Sequence, residues 1–315
     1  MIISASRRTD IPFYYSDWFF NRIKEGFVYV RNPMNIHQVS KVPLSPDIVD
    51  GIVFWTKNPV PMLDRIDELA QYNYYFQFTL NSYQADVEAN LSSKKDVIIP
   101  AFQKLSDLIG VERVIWRYDP IFLNEKYTLE YHAEYFEKIA KQLAGYTEKC
   151  TISFIDYYRN TANNIKKLDI STLTSQDKQM LAQTLSQIAH KYGLEMDTCA
   201  EDINLSKYGV THARCIDIKL LEKISGYSLK VEKDKTQRLE CGCVSSIDIG
   251  SYNTCKNGCK YCYANSSLRM VEKKSYNHNP TSPLISGVIE DDDKVIDRKV
   301  VSHKNYQFDL SNFAK

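Results

Sequence analysis

The chain has 315 residues, 43% of them hydrophobic and 25% charged, with 11 Gly and 10 Pro. That composition supports a sizeable apolar core and excludes collagen-like and wholly disordered chains. Forty Lys and Arg against 39 Asp and Glu leave a net charge of +1, which gives no electrostatic case for a dedicated duplex-DNA binder, although a local basic groove stays open. No apolar run approaches a membrane span, and the opening MIISASRRTD turns charged too early for a signal peptide. The expectation is a cytoplasmic protein whose eight cysteines are reduced thiols, metal ligands or catalytic groups.

Short β-branched and aromatic runs recur, each followed by a longer amphipathic stretch. In chain order the predicted strands are Ile2–Ala5, Ile52–Thr56, Tyr74–Leu80, Arg113–Arg117, Thr151–Ile155, Leu194–Thr198 and Val244–Ile249. Between them, apolar spacing near 3.6 predicts helices over Pro59–Gln71, Val97–Gly110, Leu129–Leu143 and Gln176–Tyr192, the last ended by Gly193. Strand and helix alternate with intervals long enough for crossover connections. That argues for a parallel α/β sheet and favours a TIM-like (β/α) barrel over the alternative, a doubly wound open sheet. Residues 1–270 read as one barrel domain with a cysteine-rich loop at 241–265, and 271–315 as an irregular cap or tail.

In parallel α/β folds, chemistry gathers at the C-terminal ends of the strands. Here those ends carry Ser4, Ser6, Arg7 and Arg8, then Lys57, Gln77, Arg117 with Asp119, Ser153, and Cys199 with Glu201. Arg7, Lys57, Gln77, Asp119 and Glu201 are the candidate catalytic residues, while Ser4, Ser6 and Arg8 are candidates for cofactor binding. Arg7, Arg8 and Lys57 suit an anionic group such as a carboxylate or phosphate. The plainer reading of Arg117 and Asp119 is a structural ion pair. Tyr118 and Tyr157 are further candidates for substrate contact.

Cysteines are absent from the first 149 residues, and five of the eight fall within 22 residues. Cys255, Cys259 and Cys262 stand as C-x3-C-x2-C, with Asn257-Gly258 as turn residues. Three thiolates on one tight loop can hold three corners of a cubane iron–sulfur cluster and leave one iron open. Two other readings stand beside it: a structural zinc ribbon using Cys241 and Cys243, and a C-x2-C redox pair formed by Cys259 and Cys262. Cys199, Cys215, Cys241 and Cys243 are enough for a second metal site, iron–sulfur or zinc, or are simply buried small side chains. The six histidines form no ligand-spaced pair.

C-x3-C-x-aromatic-C on a loop after a strand resembles the motif of the radical S-adenosylmethionine enzymes. The phrases YCYAN, FWTKNP and RYDPI look like a bacterial domain family of unknown function related to spore photoproduct lyase. The resemblance implies that Cys255, Cys259 and Cys262 ligate a 4Fe-4S cluster and that Tyr261 packs beside the adenine of S-adenosylmethionine. It also implies that an electron donor such as flavodoxin or ferredoxin drives reductive cleavage to a 5′-deoxyadenosyl radical acting on a small-molecule or nucleic-acid-derived substrate. Only 53 residues follow Cys262, too few for a barrel. The strand units precede the motif, so the expected barrel is circularly permuted and possibly partial, with Val244–Ile249 pairing in parallel with Ile2–Ala5. The superfamily's glycine-rich motif has no counterpart at Ser4–Asp10. The rival from another class is a non-enzymatic zinc- or iron–sulfur-stabilised module that binds nucleic acid.

Overall fold

The computed structural model describes residues 1–157 and 161–305. Its strands are β1 Ile2–Ala5, β2 Phe27–Arg31, β3 Gln38–Pro43, β4 Gly51–Thr56, β5 Tyr74–Thr79, β6 Val114–Ile121, β7 Lys149–Phe154, β8 Glu195–Thr198, β9 Val210–His212, β10 Ile247–Asp248 and β11 Lys294–Asp297. Eight of them form one sheet in the order β10-β1-β4-β5-β6-β7-β8-β9, with every neighbouring pair parallel. The expected parallel pairing of the strand before the cysteine loop with the N-terminal strand is present, with Ile3 opposite Ile247 and Ser4 opposite Asp248.

A closed barrel is not. The sheet is open, with β9 at one edge and β10 at the other. These edge strands are the shortest of the sheet, three and two residues long. The chain between them lies against the sheet: Cys215, Ile216, Leu221, Leu229, Cys241, Cys243 and Val244 form one apolar cluster with Ile2, Val53, Tyr75 and Ile115. Packing there fills the space that direct strand pairing would need. At its closest, a Cβ on Gly51 would lie 2.5 Å from Leu221 Cδ2, so only glycine admits this approach.

Alternation along the strands separates two faces. Ile3, Ala5, Ile52, Phe54, Phe76, Phe78, Trp116 and Ile152 belong to the main core. That core also takes in the buried faces of helices Ser16–Glu25, Ile99–Ile109, Leu129–Leu143 and Ser175–Lys191. The Leu129–Leu143 helix starts at the cap residue Thr128, and Ser175–Lys191 at a reciprocal Thr174/Asp177 capping box. Gly193 follows in the left-handed region at φ +73°. The expected helix Pro59–Gln71 is instead two short turns, Val60–Leu63 and Ile66–Leu69.

The opposite face is apolar low on the strands, at Ile2, Val53, Tyr75 and Ile115, and polar towards their C-terminal ends, at Ser4, Gln77, Arg117 and Ser153. That change of polarity along one face opens the molecule at the strand ends. A second sheet, β11-β3-β2, stands apart from the first. It contains part of the segment expected to be an irregular cap: β11 pairs in parallel with β3, and a helix spans Leu268–Tyr276. Residues 306–315 of that segment lie outside the described residues. Among the described residues no helix is long and apolar enough to cross a membrane.

Candidate metal and cofactor site

At the C-terminal ends of the parallel strands lies a cavity of about 1050 Å³. The first strand contributes Ser4, Ser6, Arg7 and Arg8; β4 leads into Lys57; β6 supplies Arg117 and Asp119; and Cys255, Cys259, Cys262 and Tyr261 come from the loop after β10. Cys199, Cys215, Cys241 and Cys243 line the same cavity.

The cysteine loop is held from several sides. Tyr15 donates its hydroxyl to the Thr254 carbonyl at 2.6 Å, and Tyr14 donates to Asn257 Oδ1 at 2.9 Å. Asn257 Nδ2 donates to Asp10, whose carboxylate also accepts from Thr56 Oγ1 and the Lys57 backbone N–H, each at 2.8 Å. Burial pushes the Asp10 carboxyl up, against these hydrogen bonds. Across the loop, Asn90 Nδ2 donates to the Lys256 carbonyl at 2.8 Å. Gly258 takes φ +68°, and a Cβ there would lie 3.0 Å from Asn90, so the turn expected at Asn257-Gly258 is one that glycine serves.

Beside the loop sits a buried charge cluster. Glu88 accepts from Lys57 Nζ at 2.7 Å, from Lys94 Nζ at 2.6 Å and from the Tyr261 hydroxyl. Burial pushes its carboxyl up, yet the two ammonium groups outweigh this and hold it at about 2. Burial also raises the thiols of Cys255, Cys259 and Cys262, Cys259 to about 12, while Lys57 favours the thiolate form of the last two. The three thiols line one cavity with an ammonium group close by, and their sulfurs are spread wider than the 4.8 Å within which a single ion gathers its ligands, a donor set suited to a thiophilic cluster.

Asp248 organises the other wall. It accepts from Ser4 Oγ and the Arg7 backbone N–H, both at 2.9 Å, and from Ser6 Oγ, with Arg8 Nε at 4.0 Å. The Arg7 guanidinium lies 5.3 Å from the centre of the Trp55 ring. Its Nη2 is buried and has no hydrogen-bond partner among the described residues. An unpaired guanidinium nitrogen on the cavity wall fits an anionic group, as the sequence suggested for Arg7.

Two expected catalytic residues are not on the cavity lining. Gln77 donates to the Cys215 carbonyl at 3.0 Å and accepts from Arg117 Nη1 at 3.2 Å, so it braces its neighbours. Glu201 accepts the Phe154 N–H at 2.8 Å and pairs with Lys178. Ala200 takes φ +52°, and beyond that turn Glu201 ties down the end of β7. Asp119 is on the lining and also closes the ion pair with Arg117, with Nε to Oδ2 at 3.1 Å. Tyr261 lines the cavity with its hydroxyl committed to Glu88. Tyr118 is buried, bonded to His132 and Ser82, while Tyr157 is exposed.

The sequence placed Asp10 at the polar end of the first strand without a role, and did not point to Glu88, Lys94 or Asp248. Asp248 was accessible to alternation, as an inward position near the end of the last strand; the others sit in loops and turns without periodicity. Away from the cavity, His37, Asp292 and Asp293 bring ligand atoms within 4.8 Å of one another, but Asp293 is already bonded to Arg31.

Residues 2–264 match a domain family described as a domain of unknown function, DUF1848. The chain belongs to that family. The match runs from β1 through the cysteine loop, so the family unit includes both walls of the cavity. No curated protein matches the chain. A solved structure of a candidate alpha-L-fucosidase from Bacteroides thetaiotaomicron shares 12% identity with it, covering 57% of this chain and 74% of that one at a TM-score of 0.25.

Proposed function

We propose that this DUF1848 protein is a radical S-adenosylmethionine enzyme built on a partial, circularly permuted (β/α) barrel. The observation that carries the reading is that the three thiols of C-x3-C-x2-C line the same cavity as Arg7, Lys57 and the polar strand ends. A peripheral zinc knuckle would have no reason to be placed there.

Cys255, Cys259 and Cys262 would hold a 4Fe-4S cluster. With its fourth iron free of protein ligand, such a cluster supplies an electron for reductive cleavage of bound S-adenosylmethionine, drawn from a donor such as flavodoxin or ferredoxin. The chain's own residues do the rest. Arg7, with its unpaired Nη2, and the Ser6–Arg8 turn braced by Asp248 bind a carboxylate or phosphate. Lys57, fixed by Glu88, keeps a positive charge beside the cysteine loop. The apolar lower layer of the sheet closes the cavity floor, so reactive species are kept from water. Cytoplasmic placement accords with reduced thiols.

Anaerobic reconstitution with iron and sulfide tests this. The expected result is a brown protein that, once reduced with dithionite, releases methionine and 5′-deoxyadenosine from S-adenosylmethionine. A colourless protein that holds zinc and leaves S-adenosylmethionine intact would overturn the reading.

A further inference from the structure

Cys199, Cys215, Cys241 and Cys243 come from three places in the chain: the end of β8, the turn after β9 and the approach to β10. Apart from the Cys241/Cys243 pair, nothing in their spacing requires them to meet. Yet Cys199 Sγ lies 3.1 Å from Cys215 Sγ, the N–H of Ile216, next to Cys215, reaches Cys243 Sγ, and all four cysteines line one cavity. We propose that these four cysteines form a second metal centre, ligated by thiolates and separate from the C-x3-C-x2-C loop, in the wall of the same cavity.

Three features argue against four ordinary core thiols. First, Arg117, buried in the sheet, donates from Nη1 to Cys215 Sγ at 3.0 Å. A neutral thiol acting as a small apolar side chain does not need a guanidinium aimed at its sulfur. Second, the backbone around the group is held as second-shell partners hold metal ligands. Tyr75 and Gln77 both donate to the Cys215 carbonyl, at 2.7 and 3.0 Å, and the Ile216 N–H points at Cys243 Sγ at 3.4 Å. Third, the group faces a cavity, so a metal has a path in.

The charge also balances. Four thiolates on a divalent ion, or on a cluster of similar charge, leave net negative charge in a poorly solvated wall. The guanidinium of Arg117 touches this group, and Arg7 lines the same cavity as Cys215 and Cys243. The shared chemistry is a soft, thiophilic centre, supplied either as an iron–sulfur cluster or as zinc. Loading with zinc releases the thiol protons to solvent and needs no redox partner; building a 4Fe-4S cluster from ferric iron and sulfide takes two electrons per cluster, supplied by the dithiol of the reconstitution mixture. The proposal stands independently of the radical-enzyme reading.

The test uses the full chain, prepared anaerobically, with wild type compared against a Cys255→Ala/Cys259→Ala/Cys262→Ala variant. Metal and acid-labile sulfide are counted per chain, and X-ray absorption is recorded at the edge of the bound metal. Retention by the triple variant of about one zinc, or of about four irons with sulfide, in an all-sulfur shell near 2.3 Å supports the proposal and names the occupant. Adding Cys199→Ser and Cys215→Ser must then remove that metal. A folded triple variant free of metal overturns the proposal while leaving the first site standing; equal metal in triple variant and wild type sinks the first site instead. Should the triple variant not fold, wild type decides by thiol alkylation. Protection of the four thiols that is lost on chelation supports the centre. A Cys199–Cys215 disulfide in peptide mass spectra, or protection indifferent to chelator, overturns it.

Discussion

Asp248 stands directly opposite Ser4 in a parallel ladder and accepts its hydroxyl at 2.9 Å, although 244 residues separate them. The same carboxylate accepts from Ser6 Oγ, the Arg7 N–H and the Gly250 N–H. One side chain therefore fixes the first strand end and the start of the cysteine loop together. Replacing Asp248 by Ala leaves several donors without an acceptor, each worth about 1–3 kcal/mol where water cannot replace it. A loss of about 3 kcal/mol or more in urea unfolding is expected, with Asp248→Asn markedly milder. Equal stability of Asp248→Ala and wild type would contradict this.

Replacing any one of Cys255, Cys259 or Cys262 by Ala is expected to abolish the reducible cluster and S-adenosylmethionine cleavage together, because each thiolate is a required corner ligand. Electron paramagnetic resonance of the reduced protein and product release measure both. Cleavage at the wild-type rate in any single variant refutes the ligand assignment.

Among the described residues Glu88 is the sole carboxylate bonded to both Lys57 and Lys94. In Glu88→Gln, the buried Lys57 ammonium and the half-buried Lys94 ammonium lose their counter-charge, and breaking a buried pair such as Glu88–Lys57 costs about 3–5 kcal/mol. The thermal midpoint should fall, and iron loading should weaken as the Tyr261 hydroxyl exchanges a charged acceptor for a neutral one. Unchanged midpoint and loading would show that Glu88 is not needed to hold the loop.

His132 gives a pH dependence of known sign. It is buried between the Tyr118 hydroxyl at 2.8 Å and the Phe122 carbonyl at 2.9 Å, and burial lowers it to about 4. Unfolded, it titrates near 6.5. As pH falls from about 6.5 to about 4, the unfolded chain takes up a proton that the folded one refuses. Stability should therefore decline by about 3 kcal/mol across that window. Urea midpoints measured through it in wild type and His132→Gln should converge towards the acid end. Parallel curves would exclude His132 as the cause.

At Gly250 a Cβ would lie 2.2 Å from Ser6 Oγ and 2.6 Å from Ser6 Cβ. Gly250→Ala must push Ser6 off Asp248, at about 1–3 kcal/mol. Backbone amide shifts of Ser6–Arg8 report it, and their absence would show that the turn yields freely.

Much of this architecture was legible because apolar periodicity is a local property of the chain. β1 and the helix Leu129–Leu143 match their expected ranges, since alternation and a 3.6-residue stripe are written in consecutive residues. The hairpin of β2 and β3 was not anticipated: Phe27–Arg31 and Gln38–Pro43 mix Arg, Lys and Gln into short half-exposed strands. Barrel closure was beyond periodicity, because it depends on how residues 213–244 pack against the sheet. At the site, strand-end polarity located Arg7 and Lys57, whereas Glu88 and Asp10 act through partners distant in sequence. Gln77 shows the limit of the strand-end rule, as an inward polar residue can brace a backbone carbonyl instead of facing the cavity.

The pairing of β1 with β10 also sets an order of events during synthesis. Strand β1 is made some 244 residues before its partner Ile247–Asp248. At about 5–20 residues per second, that edge of β1 waits roughly 10–50 s on the ribosome with its backbone donors and acceptors unmatched. The metal capture proposed for the Cys255–Cys262 loop would therefore follow the making of every strand of the main sheet. A chain stalled before that loop exposes an unpaired strand edge, which makes it a natural client for chaperones and a natural seed for aggregation.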